Sequence, residues 1–221
     1  MTRQSLHPTA QTRIRTAPVQ QRSTARVTLL LDAAAALIDE KGIDGLTTSD
    51  VAARSGSSVG VVYRYFPNIQ FLLRALAARN LERFVERAFP ADTVVEAQWL
   101  ENLDAPFDAY VELARTEPGF RALRFGAIID ERFVGRNDGS GVESANDELL
   151  SALVDVLRKR YGKIEPSEEL LLDLEVAVEA STALLQRAFT SNTEGDCRFI
   201  DKARALAREL LIAHGPEVNA A

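Results

Sequence analysis

The sequence is poor in the residues that form covalent cross-links, metal sites and many catalytic sites. Its 221 residues include one cysteine, Cys197, and two histidines, His7 and His214, which lie near opposite ends of the chain. One cysteine excludes a disulfide within the chain, and two distant histidines provide no histidine metal cluster or core base. We therefore predict no metal site, no cofactor and no enzyme activity.

Long uninterrupted apolar runs are also absent. The most apolar block, residues 170–189, has 13 apolar residues in 20 and is interrupted by three acidic residues and an arginine. Such a block does not predict a membrane span, and the N-terminus lacks the apolar segment of a secretory signal. The sequence therefore predicts a cytoplasmic protein without a membrane partner.

Charge divides the chain into two unequal parts. Residues 1–80 hold ten Lys and Arg against five Asp and Glu, whereas residues 81–221 hold 16 against 27, within a net charge of −6. A phosphate-bearing partner is attracted to positive charge. Only the N-terminal third is therefore expected to bind nucleic acid.

Apolar residues recur at spacings of three and four almost throughout, which predicts an all-α fold. The first helix is predicted to begin at Ser23 or Thr24, to bury a stripe from Val27 to Ile38, and to end at Gly42. The later helices are predicted at residues 68–89, 94–115, 118–125, 128–133, 143–161, 167–191 and 196–214.

Residues 42–73 have the spacing of two short helices joined by a tight turn. The first helix runs to about Ser55, Gly56 supplies the turn, the second helix covers residues 59–64, and Pro67 ends it. Each helix has two candidate caps, which are Thr47 or Thr48 and then Ser57 or Ser58. This pattern predicts a helix-turn-helix whose second helix lies in the DNA major groove.

The second helix has side chains suited to duplex edges. Arg64 is a long donor that can bond to guanine, Val61 can contact a thymine methyl, and Gly60 permits close approach of a backbone or phosphate. The other predicted DNA-binding residues carry hydroxyls and are Thr48, Ser49, Ser57, Ser58, Tyr63 and Tyr65. The apolar remainder, predicted to lock the two helices together, is Val51, Ala52, Val62 and Phe66.

This segment resembles the TetR family of bacterial transcriptional regulators. The matching residues are Gly42, Thr47, Thr48, Ala52, Ser55, Gly56, Tyr63, Tyr65, Phe66 and Asn68. The resemblance covers roughly residues 24–75 and implies that Thr48 meets a phosphate while Tyr63 and Tyr65 hold the DNA backbone. Ile69 stands where the family usually carries lysine, and no basic residue lies at Val59 or Gly60. Fewer phosphate contacts and a smaller salt dependence are expected.

The N-terminal segment is a candidate replacement for that missing charge. Residues 1–31 contain five arginines and no acidic residue, and residues 1–22 show no apolar periodicity. That composition predicts a disordered basic arm. Such an arm either enters the minor groove beside the helix-turn-helix or remains a solvated tail.

The resemblance implies a TetR-like architecture of about nine helices. Three parts are predicted: the arm at residues 1–22, a three-helix DNA-binding domain at 23–70, and a larger ligand-binding and dimerisation domain at 71–221. The last two helices are apolar over much of their surface, so two such helices from each of two subunits are predicted to form a four-helix bundle in a homodimer. The alternative is that they are two core helices of a monomer.

Aromatic residues beyond residue 90 either pack in the core or line an effector pocket. The resemblance implies such a pocket, because the TetR family places one among these helices. The candidates are Trp99, Phe107, Tyr110, Phe120, Phe125, Phe133 and Phe189. Glu96, Asp108, Glu112 and Gln186 are either solvated surface residues or the polar lining of such a pocket. As lining, their acidic bias would favour cationic or hydroxylated ligands.

Three functions remain open from the sequence. The first is a dimeric repressor that a small-molecule effector releases from a double-stranded DNA operator. The second is a DNA-binding dimer without an effector, acting structurally or through a protein partner. The third is an enzyme on a helical scaffold, which no motif supports.

Overall fold

The computed structural model describes residues 16–90, 102–123, 145–160 and 166–214, which contain α-helices and turns but no strand. The helices are α1 (Thr16–Lys41), α2 (Thr48–Arg54), α3 (Val59–Tyr65), α4 (Ile69–Ala88), α5 (Ala105–Thr116), α6 (Ala145–Arg160), α7 (Glu168–Phe189) and α8 (Cys197–Leu211), followed by a 3₁₀ turn at Ile212–His214. The predicted all-α fold is confirmed.

The first three helices and the start of α4, residues 16–76, form a head with its own core. Val51 and Ala52 of α2, Val62 of α3 and Phe66 after it are buried, as predicted. They pack against the buried stripe of α1 and against the first turns of α4, whose contributions are Leu30, Leu31, Ala34, Leu37, Ile38, Leu72, Leu73 and Leu76. The two short helices are therefore held by burial, because seven residues are too few for an independently stable helix.

Helix α1 begins earlier than predicted. It starts at Thr16, so residues 16–22 are helical and the prediction of disorder is wrong for them; residues 1–15 lie outside the described residues. The segment contains Ala, Gln and Arg, which favour helix, and Pro18 falls in the first turn, where a missing amide proton costs no helical hydrogen bond. The predicted end at Gly42 is confirmed, with φ +77°.

Helix α4 joins the head to the body, the name used here for the described residues from 77 to 214. Asn68 caps α4 by accepting a hydrogen bond from the amide of Phe71 at 3.1 Å. Leu72 and Leu76 lie in the head core, whereas Phe84 lies in the body core. One continuous helix therefore belongs to both cores.

The body core is enclosed by α4 to α8, with α7 and α8 packed side by side. Helix α5 begins at Ala105, because Pro106 in its first turn marks a helix start, and residues 102–104 before it form turns. Residues 94–101 of the helix predicted at 94–115 lie outside the described residues. The helix predicted at residues 118–125 is a series of turns through residue 123. Gly119 there has φ +72°, which a helix does not allow. The helix predicted at 128–133 lies outside the described residues.

Residues 117–123, called here the junction turn, contact both cores. Phe120 is buried in the body core and Leu123 in the head core. The amide of Gly119 donates to Asp39 Oδ1 of α1 at 3.1 Å. A Cβ on Gly119 would lie 3.1 Å from the carbonyl oxygen of Ala35, so only glycine fits against α1 here.

Candidate nucleic-acid interface and body cavity

Helix α2 begins with a side-chain cap, as predicted. The Thr47 oxygen accepts from the amide of Asp50 at 3.2 Å, and its hydroxyl donates to Asp50 Oδ2 at 2.6 Å. Lys41 Nζ also donates to that oxygen at 2.6 Å. These two donors, Lys41 first, lower the pKa of the Asp50 carboxyl. Asp50 thereby fixes the start of α2 to the end of α1.

The turn between α2 and α3 is made by Gly56, whose φ is +62°. Ser58 occupies the cap position of α3, but its side chain makes no capping hydrogen bond. The neighbouring Ser57 Oγ instead accepts from Arg26 NH1 of α1 at 3.3 Å. This contact places an arginine of the basic N-terminal segment directly beside the start of α3.

Helix α3 buries one face and leaves the other open. Val62 is buried, while Gly60 and Arg64 are exposed and Tyr63 is 52% exposed. Thr48 Oγ1 lies 3.3 Å from the Tyr63 hydroxyl and donates to it, which links the start of α2 to the open face of α3. The open face therefore carries one guanidinium and linked hydroxyls.

The other predicted DNA-binding residues differ in accessibility. Ser49 and Ser58 are exposed, and Ser57 and Val61 are partly buried. Tyr65 is partly buried and packs against the head core. Ile69 also packs against this core, so its apolar side chain serves the fold where the family usually carries lysine.

Ion pairs neutralise much of the acidic charge in the head. Arg54 donates to both oxygens of Glu40, at 2.9 and 2.5 Å, and this bidentate contact lowers the pKa of the Glu40 carboxyl. Arg79 of α4 pairs with Asp32 at 2.6 Å. Among the described residues, no carboxylate pairs with Arg26 or Arg64. These two cations are therefore available to attract phosphate.

The body core contains a cavity of about 130 Å³. It lies between the five helices α4 to α8 and opens to the surface of the described residues. The described residues that line it are Phe84, Phe89, Asn102, Leu103, Pro106, Phe107, Tyr110, Leu149, Leu153, Val156, Leu157, Leu174, Ala177, Val178, Ser181, Thr182, Leu185, Ala207 and Leu211. This body cavity is therefore lined mainly by aliphatic and aromatic side chains.

Two of the aromatic residues proposed from the sequence line the body cavity, namely Phe107 and Tyr110. Phe120 and Phe189 do not line it but support the Tyr110 ring, with ring centroids 5.4 and 6.2 Å away. Trp99, Phe125 and Phe133 lie outside the described residues. The aromatic cluster therefore serves both as core and as lining.

The candidate polar lining residues that the structure describes do not line the cavity, which agrees with the alternative that they are surface residues. Asp108 lies on the surface and accepts from Arg204 NH2 at 2.5 Å, and Glu112 pairs on the surface with Arg87. Gln186 does not line the cavity, and Glu96 lies outside the described residues. On an amphipathic helix such as α5, the acidic residues lie on the face opposite Phe107 and Leu113.

A polar residue that the sequence analysis missed does line the cavity. Ser181 is only 8% exposed, and its hydroxyl oxygen has no hydrogen-bond partner. The signal available in the sequence was a Ser-Thr pair, Ser181 and Thr182, inside the most apolar block of the chain. A buried hydroxyl without a partner is unfavourable unless something bonds to it.

Comparison with known proteins agrees with this architecture. The model of the family described as "Bacterial regulatory proteins, tetR family" matches residues 30–76, and that described as "Tetracyclin repressor-like, C-terminal domain" matches residues 97–214. The chain belongs to the TetR family. A solved TetR-family transcriptional regulator from Streptomyces coelicolor is 35% identical with a TM-score of 0.70, over 87% of this chain and 98% of that one.

More distant members of the TetR family match less of the sequence or only the fold. A TetR-like transcriptional regulator from Rhodococcus sp. RHA1 has a TM-score of 0.54 at 22% identity, over 84% of this chain and 92% of that one, and shows the fold alone. Tetracycline repressor protein class D of Escherichia coli is 40% identical over 62 residues, which is 28% of each chain. The match to this curated relative thus spans little more than a quarter of its length.

Two further features of this TetR-family chain bear on the predictions. His214 is 6% exposed and its Nε2 lies 2.8 Å from Asp173 Oδ2. The contact ties the 3₁₀ turn after α8 to α7. Within the described ranges, no helix has the length and apolarity required to cross a membrane.

The outer side of α7 carries an apolar stripe. Leu172 is 58% exposed and Val176 is 43% exposed, and the small residues Ala180 and Ala183 follow at helical spacing. Ile212, just after α8, is also exposed. The sequence of α7 has more apolar residues than one buried face requires, and these additional residues lie at the surface of the single subunit.

Proposed function

We propose that this TetR-family protein is a dimeric repressor that binds an operator through α3 and leaves it when a small molecule enters the body cavity. The observation that supports DNA binding most strongly is the open face of α3. It presents Arg64, Tyr63 and Gly60 to solvent on a helix fixed by Val62 beneath it. A rigid helix with polar groups directed outward is what major-groove recognition requires.

Each residue of this face has a proposed role. Arg64 forms two hydrogen bonds to a guanine, and Val61 contacts a thymine methyl. Gly60 lets a phosphate or base edge approach the backbone of α3. The hydroxyls that position the head on phosphates are those of Thr48, Ser49, Ser57, Ser58, Tyr63 and Tyr65.

Arg26 joins this set through its contact with Ser57. Its guanidinium bonds to the serine that precedes α3 and pairs with no carboxylate among the described residues. Arg26 belongs to α1, which places its guanidinium beside the start of α3. Arg26 therefore supplies a positive charge, whereas Ile69, which packs against the head core, supplies none. We therefore assign a phosphate contact to Arg26, worth about one unit of the salt slope.

Dimerisation through α7 and α8 is supported by the apolar stripe on α7. Two copies of Leu172 and Val176 would bury each other, and the alanines allow close approach of the helices. A dimer presents two copies of α3 to half-sites about 34 Å apart, which multiplies a weak individual contact.

Release by an effector is supported by the position of the junction turn. Tyr110 lines the cavity and its ring packs edge-on against Phe120 of that turn. Three residues later, Leu123 is buried in the head core. A ligand that displaces Tyr110 would therefore shift contacts of α1, and operator affinity falls if the ligand prefers the shifted state.

The test begins with selection of a bound sequence from a random duplex pool, followed by fluorescence anisotropy. Arg64→Ala is expected to weaken binding by ~1–3 kcal/mol and to relax preference at one base pair in each half-site. Arg198→Ala on α8 is the matched control and should bind normally, because within the described ranges Arg198 pairs with Asp196 alone. Equal effects of the two variants would contradict the role of α3.

Dimerisation has a separate test. Leu172→Arg places a charge in the proposed interface and should give single subunits in sedimentation velocity, with weaker operator binding. The control Ile212→Arg keeps the α7 stripe intact and should remain dimeric if that stripe forms the interface. A dimeric Leu172→Arg variant would show that the subunits associate elsewhere.

A further inference from the structure

The residues that line the body cavity limit which ligand it can bind, and this inference rests on the proposed function, in which a small molecule enters that cavity. None of the described lining residues is charged. The nearby charged side chains are engaged outside it, since Arg204 bonds to Asp108 and its guanidinium lies 5.6 Å from the Phe107 ring centroid. A buried ligand charge would find no counter-charge among these residues. The described lining therefore favours an uncharged ligand over the cationic class considered from the sequence.

The size of the cavity sets the size of the ligand. Its volume of about 130 Å³ is close to the ~150 Å³ of an engineered apolar cavity that takes up benzene. A single six-membered ring with a small substituent fills such a space. The walls on α5, which include Phe107 and Tyr110, offer ring edges and faces to it.

Ser181 supplies the polar recognition. Ser181 lines the cavity, and its buried hydroxyl has no hydrogen-bond partner among the described residues. The residues one turn away on α7, Ala177 and Leu185, offer only apolar side chains. A ligand oxygen near Ser181 would gain a hydrogen bond and satisfy this hydroxyl.

We infer that the body cavity binds an uncharged single-ring compound whose one oxygen, a hydroxyl or carbonyl, hydrogen-bonds to Ser181 Oγ. The apolar walls provide most of the affinity, and Ser181 distinguishes oxygen-bearing rings from hydrocarbons. Ser181 is thus the specificity-determining residue of the effector site.

The experiment measures binding of phenol, toluene and benzoate to the full chain without DNA, by isothermal titration calorimetry at neutral pH. Phenol is expected to bind about tenfold more tightly than toluene, which has the same shape without the oxygen. Benzoate, an anion of similar size, should not bind at millimolar concentration. Binding of benzoate as tight as that of phenol would overturn the inference, as would failure of all three to bind.

Two variants isolate the hydroxyl. Ser181→Ala should bind toluene as the parent does and lose the tenfold preference for phenol, while Ser181→Thr should keep part of that preference. The thermal midpoint of ligand-free Ser181→Ala should rise, because an unpartnered buried hydroxyl is removed. An unchanged ratio of phenol to toluene affinity in Ser181→Ala would show that Ser181 has no part in recognition.

Operator binding is measured separately, so the two proposals fail in different ways. If phenol binds through Ser181 but leaves DNA affinity unchanged, the ligand class stands and release by an effector is wrong. If DNA binds as proposed but no probe enters the cavity, the ligand class is wrong and recognition through α3 stands.

Discussion

Replacing Gly60 by alanine separates folding from DNA binding, because the two effects have opposite signs. Gly60 is not among the residues with positive φ, and the only atom within 4 Å of an added Cβ is Ser58 Oγ at 3.9 Å. Alanine is favoured over glycine by about 1 kcal/mol inside a helix. Gly60 is the second residue of seven in α3, so we expect a gain of about 0.5 kcal/mol in the free energy of unfolding.

The same methyl group should weaken operator binding. No contact in the part of the chain that the structure describes requires glycine at this exposed position, which agrees with the proposal that DNA approaches closely here. Forcing one extra methyl into a tightly packed contact costs ~1–3 kcal/mol. Gly60→Ala should therefore bind its selected duplex about ten to a hundred times more weakly.

Gly56→Ala provides the control for stability. Its φ of +62° is strained for alanine although no atom lies within 4 Å of the added Cβ, so the head should lose ~1–2 kcal/mol. Urea denaturation and fluorescence anisotropy of both variants complete the assay. If Gly60→Ala is more stable and binds the duplex as the parent does, DNA does not approach Gly60 and its proposed role is wrong.

Three further substitutions test the junction and the cap. Gly119→Ala should lower the free energy of unfolding by about 2 kcal/mol or more in urea, because it combines positive φ with a contact at the Ala35 carbonyl. Phe120→Leu should bind phenol alone and DNA alone as the parent does. Phenol should no longer lower the affinity of this variant for DNA. The lowered pKa of Asp50 contributes stability that is present above pH ~4 and lost as pH falls through the lowered value. Asp50→Asn should therefore show a flatter acid limb in thermal melts below pH ~4.

The elements of the head could be predicted because their signals are local. The Thr47 cap, the glycine at Gly56 and the break at Pro67 act within four residues of the helix ends they define. The burial of Val51 and Val62 follows from helical spacing alone. Local physics therefore determines most of the helix-turn-helix.

The body could be predicted less well because its boundaries depend on distant contacts. Gly119 adopts its conformation against Ala35 of α1, and nothing near residue 119 in the sequence indicates that partner. The sequence left open whether Asp108 lines a pocket or lies at the surface, and Arg204, 96 residues later, holds it at the surface. Periodicity showed that Ser181 lies in an apolar helix but not that its hydroxyl would be left without a partner.

The energetics of a small effector place a limit on how the signal can reach DNA. A ligand of about seven non-hydrogen atoms gains at most ~10 kcal/mol on binding, since ~1.5 kcal/mol per atom is the practical ceiling. Lowering operator affinity a hundredfold requires ~2.7 kcal/mol of difference between its affinities for the two states. About a quarter of the available binding energy must then differ between the conformation that binds the operator and the one that does not. The short route from Tyr110 through Phe120 to Leu123 is suited to that requirement, because it connects the cavity wall to the body core and the body core to the head core.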